Sequence, residues 1–346
     1  NDGKHKINDG YAVGGNPQTS YFMSNDFNKG LAVFESFRLI DGNLFTVGLD
    51  AKQWGGRAWA EDFAGNETNV WFDNKHVTEL AGYAVVQQTL FDKLSLNAGI
   101  RLENNERYGN EWVPQGGVVY RLNEQTSFKT SVSKGFRSPN INEMYSPWGP
   151  AANPDLLPEE MMNYDFSCLQ SFFNHQLDFE LTAFYTKGKN MIVPSAVLGG
   201  KNSNSGQFTN KGIDFAFRYQ IIPSLKITGN YSFLDSDVKI QAAPKQKVFL
   251  ALRWQWKNLT FSPDLQYVDH LYLPAYSDNG RSIPPSAEIA ESYISYALLN
   301  CKVSYKVSDS TIWFINGENL TDAAYRMYSG YPMPGVVVLG GFEVKF

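Results

Sequence analysis

The segment KVFLALRWQWKNLTFSPDLQYV, residues 247–268, combines a strongly apolar side with regularly spaced polar residues. At the period of two that a β-strand imposes, Leu250 and Trp254 fall on one face of its first half, whereas Lys247 and Arg253 fall on the other. The second half, after a short turn, repeats the alternation. The segment therefore predicts a β-hairpin with one apolar face and one hydrated face.

Strand length indicates which environment the apolar face meets. Strands of soluble sheets usually have about five or six residues, whereas strands that cross a membrane have about nine to eleven, and the alternation here runs for about ten or more. The mean hydropathy is −0.34, and no run approaches the ~18 apolar residues of a membrane-spanning helix. The aromatic content of 15% suits the girdles of a lipid-facing barrel. The predicted fold is all-β, a transmembrane antiparallel β-barrel.

The two-faced pattern recurs in about fifteen segments, which makes it an architectural rule. The predicted strands cover residues 31–41, 44–53, 78–91, 94–106, 113–122, 126–136, 161–173, 176–188, 207–220, 224–235, 246–257, 259–268, 292–306, 311–318 and 335–346. Charged residues in them share one face, as for Arg101, Glu103, Asp178, Glu180 and Arg218. That face must meet water, because a charge on the lipid face at the middle of the bilayer costs about 2–4 kcal/mol.

The connections between the predicted strands alternate between short and long. The long ones are expected at residues 53–77, 137–160, 189–206, 269–290 and 319–334. Short periplasmic turns and long outer loops are typical of bacterial outer-membrane barrels, so the long loops should face outward. Such barrels have an even number of strands. The odd count indicates either a sixteenth strand within residues 1–30, for which TSYFMSN is a poor candidate, or the favoured alternative, a C-terminal part of a larger barrel.

Four segments carry a resemblance to a known family. They are GFRSPNINEMY (135–145), NPDLLPEEMMNYDFS (153–167), NKGIDFAFRYQI (210–221) and NGENLTDAAYRMYSGYPMPGVVVLGGFEVKF (316–346). In this order they resemble the F/Y-R-x-P-x-x-x-E-x-Y and N-P-x-L-x-P-E motifs, a following strand pattern and the closing segment of TonB-dependent outer-membrane receptors. Residues 1–130 fit by strand pattern alone.

The resemblance implies a barrel of about 22 strands filled by an N-terminal plug that engages TonB. No plug is recognisable, so residues 31–346 are expected to be the C-terminal portion of the barrel, and residues 1–30 an outer loop or chain start. The terminal Phe346 resembles the signal that outer-membrane barrels present to their assembly machinery. Arg137 and Glu143 could pair to pin an outer loop, or could be separate solvated charges.

By the same resemblance, the function is active import across the outer membrane of a Gram-negative bacterium. A ferric siderophore, haem or cobalamin-like complex would bind at the outer face, and the TonB complex would act through the missing plug. Membrane lipid and the upstream barrel and plug segment are the other expected partners. Three alternatives remain open: a passive porin of about sixteen strands, an outer-membrane enzyme, and a glycan or peptide receptor with a lipoprotein lid.

Charge, cysteine and histidine content argue against other classes. A formal charge of −5 without a Lys/Arg run is unlike a nucleic-acid-binding protein. Cys168 and Cys301 lie in separate strands, without the spacing of a metal or redox pair. The four histidines are scattered and no catalytic motif occurs, so neither an enzyme nor a cofactor is expected. His76 and His270 could each ligate a metal or haem, but ordinary surface positions are the alternative and no metal site is predicted.

The predicted outer loops are rich in aromatic and cationic residues. Such groups suit a planar, often anionic chelate through stacking and charge-assisted hydrogen bonds. The candidate ligand-binding residues are Arg57, Trp59, Trp71, Tyr145, Trp148, Tyr272, Tyr276, Arg281, Tyr328 and Tyr331. Several loop aromatics could instead be girdle anchors, above all Trp54 and Trp112, which lie near strand ends.

Overall fold

A computed structural model of the protein describes residues 2–7, 19–145, 152–195, 198, 200–240, 242–273, 292–328 and 331–345. The first nine strands are β1 (Asp2–Ile7), β2 (Ser20–Phe37), β3 (Asn43–Asp62), β4 (Glu67–Leu90), β5 (Leu94–Asn105), β6 (Gly109–Arg121), β7 (Thr126–Arg137), β8 (Glu159–Phe172) and β9 (Leu177–Ser195). The others are β10 (Lys201–Ile222), β11 (Leu225–Ser236), β12 (Pro244–Trp256), β13 (Leu259–Leu273), β14 (Ser292–Lys306), β15 (Thr311–Glu318), β16 (Arg326–Tyr328), β17 (Tyr331–Pro332) and β18 (Val337–Val344). The helix α1 (Ile141–Tyr145) lies between β7 and β8.

Sixteen of these strands form one antiparallel sheet, in the order β1 to β15 followed by β18, while β16 and β17 pair with each other. Strands that follow one another in sequence are neighbours in the sheet, as an up-and-down arrangement requires. All fifteen predicted strands are present, as β2 to β15 and β18. The predicted all-β antiparallel fold is therefore confirmed, and β1 is an additional strand.

The first 30 residues contain more strand than the sequence pattern indicated. β1 occupies Asp2–Ile7, and β2 begins at Ser20, so that TSYFMSN opens a strand. The prediction missed this region because its side chains do not alternate between apolar and polar. Pairing explains the strand: β2 and β3 stay in unbroken register from Phe37↔Phe45 to Ser20↔Asp62.

The long outer loop predicted at residues 53–77 is instead a paired extension of β3 and β4. These strands have 20 and 24 residues, and only residues 63–66 connect them. A membrane span needs about nine to eleven residues, so roughly half of each strand continues beyond it. Outside the bilayer a strand need not alternate, and for this reason the sequence resembled a loop. The loop predicted at residues 189–206 is shortened in the same way by β9 and β10.

The two faces of the strands match the prediction. Leu49 is 70% exposed and Trp254 is 45% exposed, as expected for side chains that meet lipid. On the opposite face of β5, the guanidinium of Arg101 lies 2.5 Å from Asp50 and 3.0 Å from Glu103. In the part of the chain that the structure describes, no α-helix combines the length and the apolar character needed to cross a bilayer.

The chain divides into two compact units. Unit 1 comprises Asn1–Tyr120, Thr130–Tyr164 and Thr186–Phe208; unit 2 comprises Arg121–Lys129, Asp165–Tyr185 and Thr209–Phe346. The buried apolar residues of unit 1 include Ala58, Trp59, Phe72, Val77 and Met144. Those of unit 2 form one cluster of Val268, Leu271, Leu273, Tyr296 and Leu298.

Candidate ligand-binding site

Unit 1 contains a cavity of about 540 Å³ where β1, β2 and β3 meet α1. The residues that line it are His5, Ile7, Phe22, Ser24, Asn25, Asp26, Phe27, Asn28, Lys52, Trp54, Gly55, Gly56, Arg57, Ala58, Phe72, Asn140, Ile141 and Asn142. The unbroken register of β2 and β3 pairs Asn28 with Trp54. By the period of two, Trp54 shares the face of Asp50 and Lys52, opposite the lipid-exposed Leu49. Trp54 therefore lies on the hydrated face, while the lining also includes side chains of the other face, such as Phe27 and Arg57.

Glycine is required where the strands approach beneath this cavity. A Cβ atom at Gly55 would overlap the carbonyl oxygen of Lys75, and one at Gly56 would overlap that of Asn25. Opposite these glycines β4 carries an extra residue, because Gly56 pairs with Lys75 while Ala58 pairs with Phe72. Such bulges bend a strand and re-aim its side chains. Here the irregularity brings Phe72 to the cavity.

The charges already paired in the lining indicate which ligand it could accept. His5 lies 3.0 Å from Asp26, and the guanidinium of Arg57 lies 2.6 Å from Glu67 and 2.9 Å from Asp73. Arg57 thus faces two carboxylates, and Asp26 has His5 as its partner. The Lys52 ammonium group, several amide side chains and the aromatic faces then remain to meet a neutral or anionic ligand with ring surfaces.

One wall of the cavity is α1, which the GFRSPNINEMY segment forms. A capping box starts the helix: the N–H of Asn140 donates to Glu143 Oε2, and the N–H of Glu143 donates to Asn140 Oδ1, both at 2.9 Å. The backbone carbonyl of Glu143 also accepts from the Asn202 side chain at 3.2 Å. A five-residue helix would be marginal by itself, so these bonds determine its position.

Arg137 connects α1 to the start of β8. Its two terminal nitrogens donate to both carboxylate oxygens of Glu143 at 2.9 Å, and its Nε donates to Glu159 at 2.6 Å. The other oxygen of Glu159 accepts the N–H of Ile192 at 2.8 Å. Of the two alternatives considered for Arg137 and Glu143, the structure shows the pair, and Arg137 also binds Glu159, so that its guanidinium joins β7, α1 and β8.

Replacing Arg137 with methionine should loosen the segment that follows β7. Two carboxylates lose their fork of charge-assisted bonds, and we expect a local loss of about 1–2 kcal/mol after allowing for solvent screening. Cleavage by a glutamate-specific protease between residues 138 and 158, measured on intact outer membranes, should accelerate about 5- to 30-fold. Arg137→Lys keeps the charge but loses the forked geometry of the guanidinium, so its cleavage rate should lie between those of wild type and Arg137→Met. An unchanged cleavage rate in Arg137→Met would contradict this assignment.

A buried polar network fixes the other side of the same segment. The carboxylate of Glu79, 9% exposed, accepts from the Asn105 side chain at 2.9 Å and from the Ser138 hydroxyl at 3.0 Å. Because the Ser138 proton points to Glu79, the Tyr108 hydroxyl donates to Ser138 at 2.7 Å. Burial raises the pKa of Tyr108 to about 12, so this phenol stays protonated and keeps its donor role.

Tyr145, at the end of α1, is in a mixed cationic and aromatic setting. Arg107 donates to its hydroxyl at 2.6 Å, and the ammonium of Lys75 lies 5.3 Å from its ring centroid. The ring is 6.1 Å from that of Phe72, which lines the cavity. Among the predicted ligand-binding residues, Tyr145 thus lies beside the cavity wall, with its hydroxyl already used to hold α1.

The other predicted residues of unit 1 occupy the extended β3–β4 hairpin. The guanidinium of Arg57 lies 4.6 Å from the Trp59 ring centroid, and Trp59 is only 8% exposed. By register, these two side chains lie on the face opposite Trp54. Trp71 packs near Phe22, with 5.4 Å between ring centroids. Arg57 and Phe22 contribute to the lining, whereas Trp59 and Trp71 are not among the lining residues.

The remaining predicted residues belong to other parts of the chain. In unit 2, Tyr272 lies 5.6 Å from Tyr293 between ring centroids and lines a smaller cavity. Tyr328 and Tyr331 pair through the backbones of β16 and β17, and their side chains lie outside the described part of the chain. Trp148, Tyr276, Arg281 and the terminal Phe346 also lie outside the described residues.

Sequence reasoning did not select Lys52, Phe72, Asn140 and Asn142 for the site. For Trp54, which was interpreted as a girdle anchor, the sequence did contain a signal for the hydrated face. Counting in twos from the charged Asp50 places Trp54 on the hydrated face, whereas Trp112 pairs with Leu102 and is 55% exposed on the apolar face. No comparable signal identifies Phe72, because the extra residues in β4 change the face of the strand on which Phe72 lies.

One antiparallel sheet with an apolar face and a charged face is the arrangement of a transmembrane β-barrel protein. The family model described as TonB dependent receptor-like, beta-barrel, matches residues 1–320. The chain belongs to this family, and it is accordingly an outer-membrane protein of Gram-negative bacteria, as predicted. This assignment does not favour the passive porin.

Relatives and solved structures agree with the assignment. The iron-regulated outer membrane virulence protein of Vibrio cholerae is 25% identical over 257 residues, 64% of this chain and 38% of that protein. The vitamin B12 transporter BtuB of Vibrio cholerae is 24% identical over 284 residues, 80% of this chain and 44% of that protein. The siderophore receptor PirA from Acinetobacter baumannii superposes with a TM-score of 0.73 at 15% identity, covering 100% of this chain and 59% of that one. The chain thus spans about two fifths of the curated relatives it matches.

Proposed function

We propose that this chain is the C-terminal portion of the barrel of an active-transport receptor. The receptor binds a scarce nutrient as a chelate, such as a ferric siderophore, haem or a cobalamin-like complex, at the outer face of the membrane and imports it to the periplasm. Relatives named for vitamin B12 transport and iron regulation support this class of substrate.

The observation that carries the proposal is the cavity formed by β1, β2, β3 and the start of α1. Its volume of about 540 Å³ is within the range of about 300–1,000 Å³ that is usual for small-molecule sites. Aromatic faces, the cation of Lys52 and the amides of Asn140 and Asn142 suit a compact, partly aromatic, anionic chelate. Because α1 forms one wall, a bound ligand would touch an element held by a few identifiable bonds.

The work of such a receptor is conformational, so we propose that the chain makes and breaks no covalent bond in its substrate. The TonB complex would act through an N-terminal plug carried by the upstream part of the protein, and the barrel strands would contact membrane lipid and the upstream strands. The residues proposed to touch ligand are Trp54 and Lys52 together with eight of the ten predicted from the loops. Arg57 and Tyr145 would act mainly by holding the surrounding structure.

Trp54→Ala should weaken binding of a ferric tris-catecholate complex by the purified full-length protein at least about tenfold. The indole is the largest aromatic surface in the cavity, and losing its contact should cost about 1.4 kcal/mol or more. The measurement is an equilibrium titration by quenching of tryptophan fluorescence, with vitamin B12 and haem as alternative ligands. Trp112→Ala is the matched control, because that indole lies on the apolar face and should leave the affinity unchanged.

Import itself is tested in cells that carry the full-length gene. Uptake of the bound chelate, labelled with radioactive iron or cobalt, should saturate with concentration and disappear when TonB is deleted. Uptake that rises linearly with concentration and continues without TonB would refute active transport. If wild type, Trp54→Ala and Trp112→Ala bind the ligand with equal affinity, the ligand does not bind in this cavity.

A further inference from the structure

Three cationic side chains form one row across the hydrated face of unit 2. The register places Lys226 of β11 opposite Arg253 of β12, and Ser262 of β13 opposite Lys302 of β14. The pairs on either side of Arg253 bring it opposite Ser262. Neighbouring strands are about 4.8 Å apart, so the backbone positions of Lys226 and Lys302 stand roughly 14 Å apart. We call Lys226, Arg253 and Lys302 the basic row.

The basic row faces away from lipid. Trp254 follows Arg253 in the chain, is 45% exposed on the apolar face and pairs with Phe261. Phe261 in turn pairs with Val303, which follows Lys302. Consecutive side chains of a strand point to opposite faces, so the whole basic row lies on the hydrated face. The row begins at the second residue of β11, so it lies next to the short turns, at the periplasmic end of the strands.

Two members of the basic row carry like charges directly opposite each other. Lys226 pairs with Arg253, and at such positions the Cβ atoms of antiparallel strands are about 4.5–5.5 Å apart, so that like charges destabilise the pair. The ammonium of Lys302 lies 4.5 Å from the ring centroid of Phe314. Within the described residues, no carboxylate forms an ion pair with any member of the basic row. The sheet therefore carries a repulsion that an anionic partner would relieve.

Two carboxylates in the next row of the same face are already engaged. Asp264, the second residue after Ser262, accepts from the Asn300 side chain at 2.8 Å. Glu318 accepts from the Asn316 side chain at 2.9 Å. These amides hold both carboxylates one step farther from the short turns. The carboxylates therefore weaken the repulsion within the basic row without pairing with it.

Charge and spacing indicate the chemistry of the partner. One carboxylate or phosphate group can meet Lys226 and Arg253 together, but it does not reach Lys302, which is two strands farther on. Arg253 and Lys302 stand about 10 Å apart, the length of about three residues of extended chain. Two or more acidic side chains on one protein segment match this spacing. The basic row lines neither of the cavities described above, so a compact chelate would not be enclosed there.

We propose that the basic row is a docking surface for an acidic segment of the plug. Arg253 and Lys226 hold one carboxylate through charge-assisted hydrogen bonds, and Lys302 holds a second. The contact fastens the plug at the periplasmic end of the strands, and its strength falls as salt screens the charges. The inference rests on the proposed receptor function, which supplies the plug as the partner on the hydrated face.

The test records currents through the full-length protein in planar lipid bilayers, where a seated plug keeps the channel closed. At low salt, Arg253→Glu should open at least about tenfold more often than wild type. The new carboxylate repels an acidic plug segment but faces Lys226, so the free energy of unfolding in urea should stay the same or rise. From about 0.1 M to about 1 M salt the Debye length falls from about 10 Å to about 3 Å. Over this range, opening should increase for wild type and decrease for Arg253→Glu.

Lys257→Glu is the matched control, because it makes the same change of charge in the turn after β12, outside the basic row. The Lys257 ammonium lies 5.5 Å from the ring centroid of Trp256, and this variant should open like wild type. Equal opening by Arg253→Glu and Lys257→Glu, or the same response to salt in wild type and Arg253→Glu, would overturn the inference. Weaker chelate binding by Arg253→Glu with unchanged opening would assign the row to the cargo and would also overturn it. Uptake that continues without TonB would instead count against the receptor function.

Discussion

Met144→Ala should release α1 from the strands it covers. Met144 is 2% exposed and is the buried side chain of that helix. Removing a buried methionine side chain costs about 2–5 kcal/mol, through lost burial and the cavity left behind. We expect hydrogen exchange in a peptide covering residues 140–145 to accelerate about 30- to 1,000-fold, which corresponds to about 2–4 kcal/mol. The amide of Met144, which bonds to the Asn140 carbonyl at 3.1 Å, is the probe.

The control is Met327→Ala, because Met327 is 44% exposed on β16. Exchange in residues 140–145 should remain at the wild-type rate in that variant. The strands themselves should keep their protection in Met144→Ala, since their ladder does not depend on the helix. Slow exchange of α1 after Met144→Ala would mean that the capping box and the Arg137 fork hold the helix without its apolar contact.

Glu79→Ala is expected to destabilise the protein by about 2–5 kcal/mol. The substitution leaves two donors without their acceptor, the Asn105 amide and the Ser138 hydroxyl, and each unsatisfied buried group costs about 1–3 kcal/mol. Asn105 is 1% exposed, so water does not readily replace the lost bond. The measurement is the free energy of unfolding in urea, with the protein folded into lipid vesicles.

Glu79→Gln separates hydrogen bonding from charge at the same position. The amide oxygen can still accept from Asn105 and Ser138, and the charge beside the equally buried Glu103 is removed. We expect this variant to lose less than about 1.5 kcal/mol. Equal losses in the alanine and glutamine variants would show that the charge of Glu79, and not its role as acceptor, stabilises this region.

Much of the strand pattern was predictable because the membrane enforces it. In the hairpin of residues 247–268, Leu250 and Trp254 both lie on the exposed apolar face, at 42% and 45% exposure. Beyond the membrane, side chains need not alternate between apolar and polar. The upper parts of β2, β3 and β4 were interpreted as loops because backbone pairing maintains these strands, and such pairing leaves little trace in side-chain polarity.

The candidate sites were harder to predict because a single extra residue in a strand exchanges the faces on which the following side chains lie. Trp54 follows the simple count from Asp50, and the sequence does contain that information. Phe72 and His270 do not follow it, since extra residues in β4 and β13 change which way they face. Arg57 matched the expected chemistry of a ligand-binding cation, but its carboxylate partners became evident only once β3 and β4 were paired.

The projecting hairpin of β3 and β4 also separates two kinds of selective pressure within single strands. The lower half of each strand must match lipid at every second position, so few substitutions there are acceptable. Substitutions in the upper half are limited mainly by pairing with the partner strand and by contacts at the cell surface. The exposed chemistry of the hairpin can therefore change while its anchor in the bilayer stays the same.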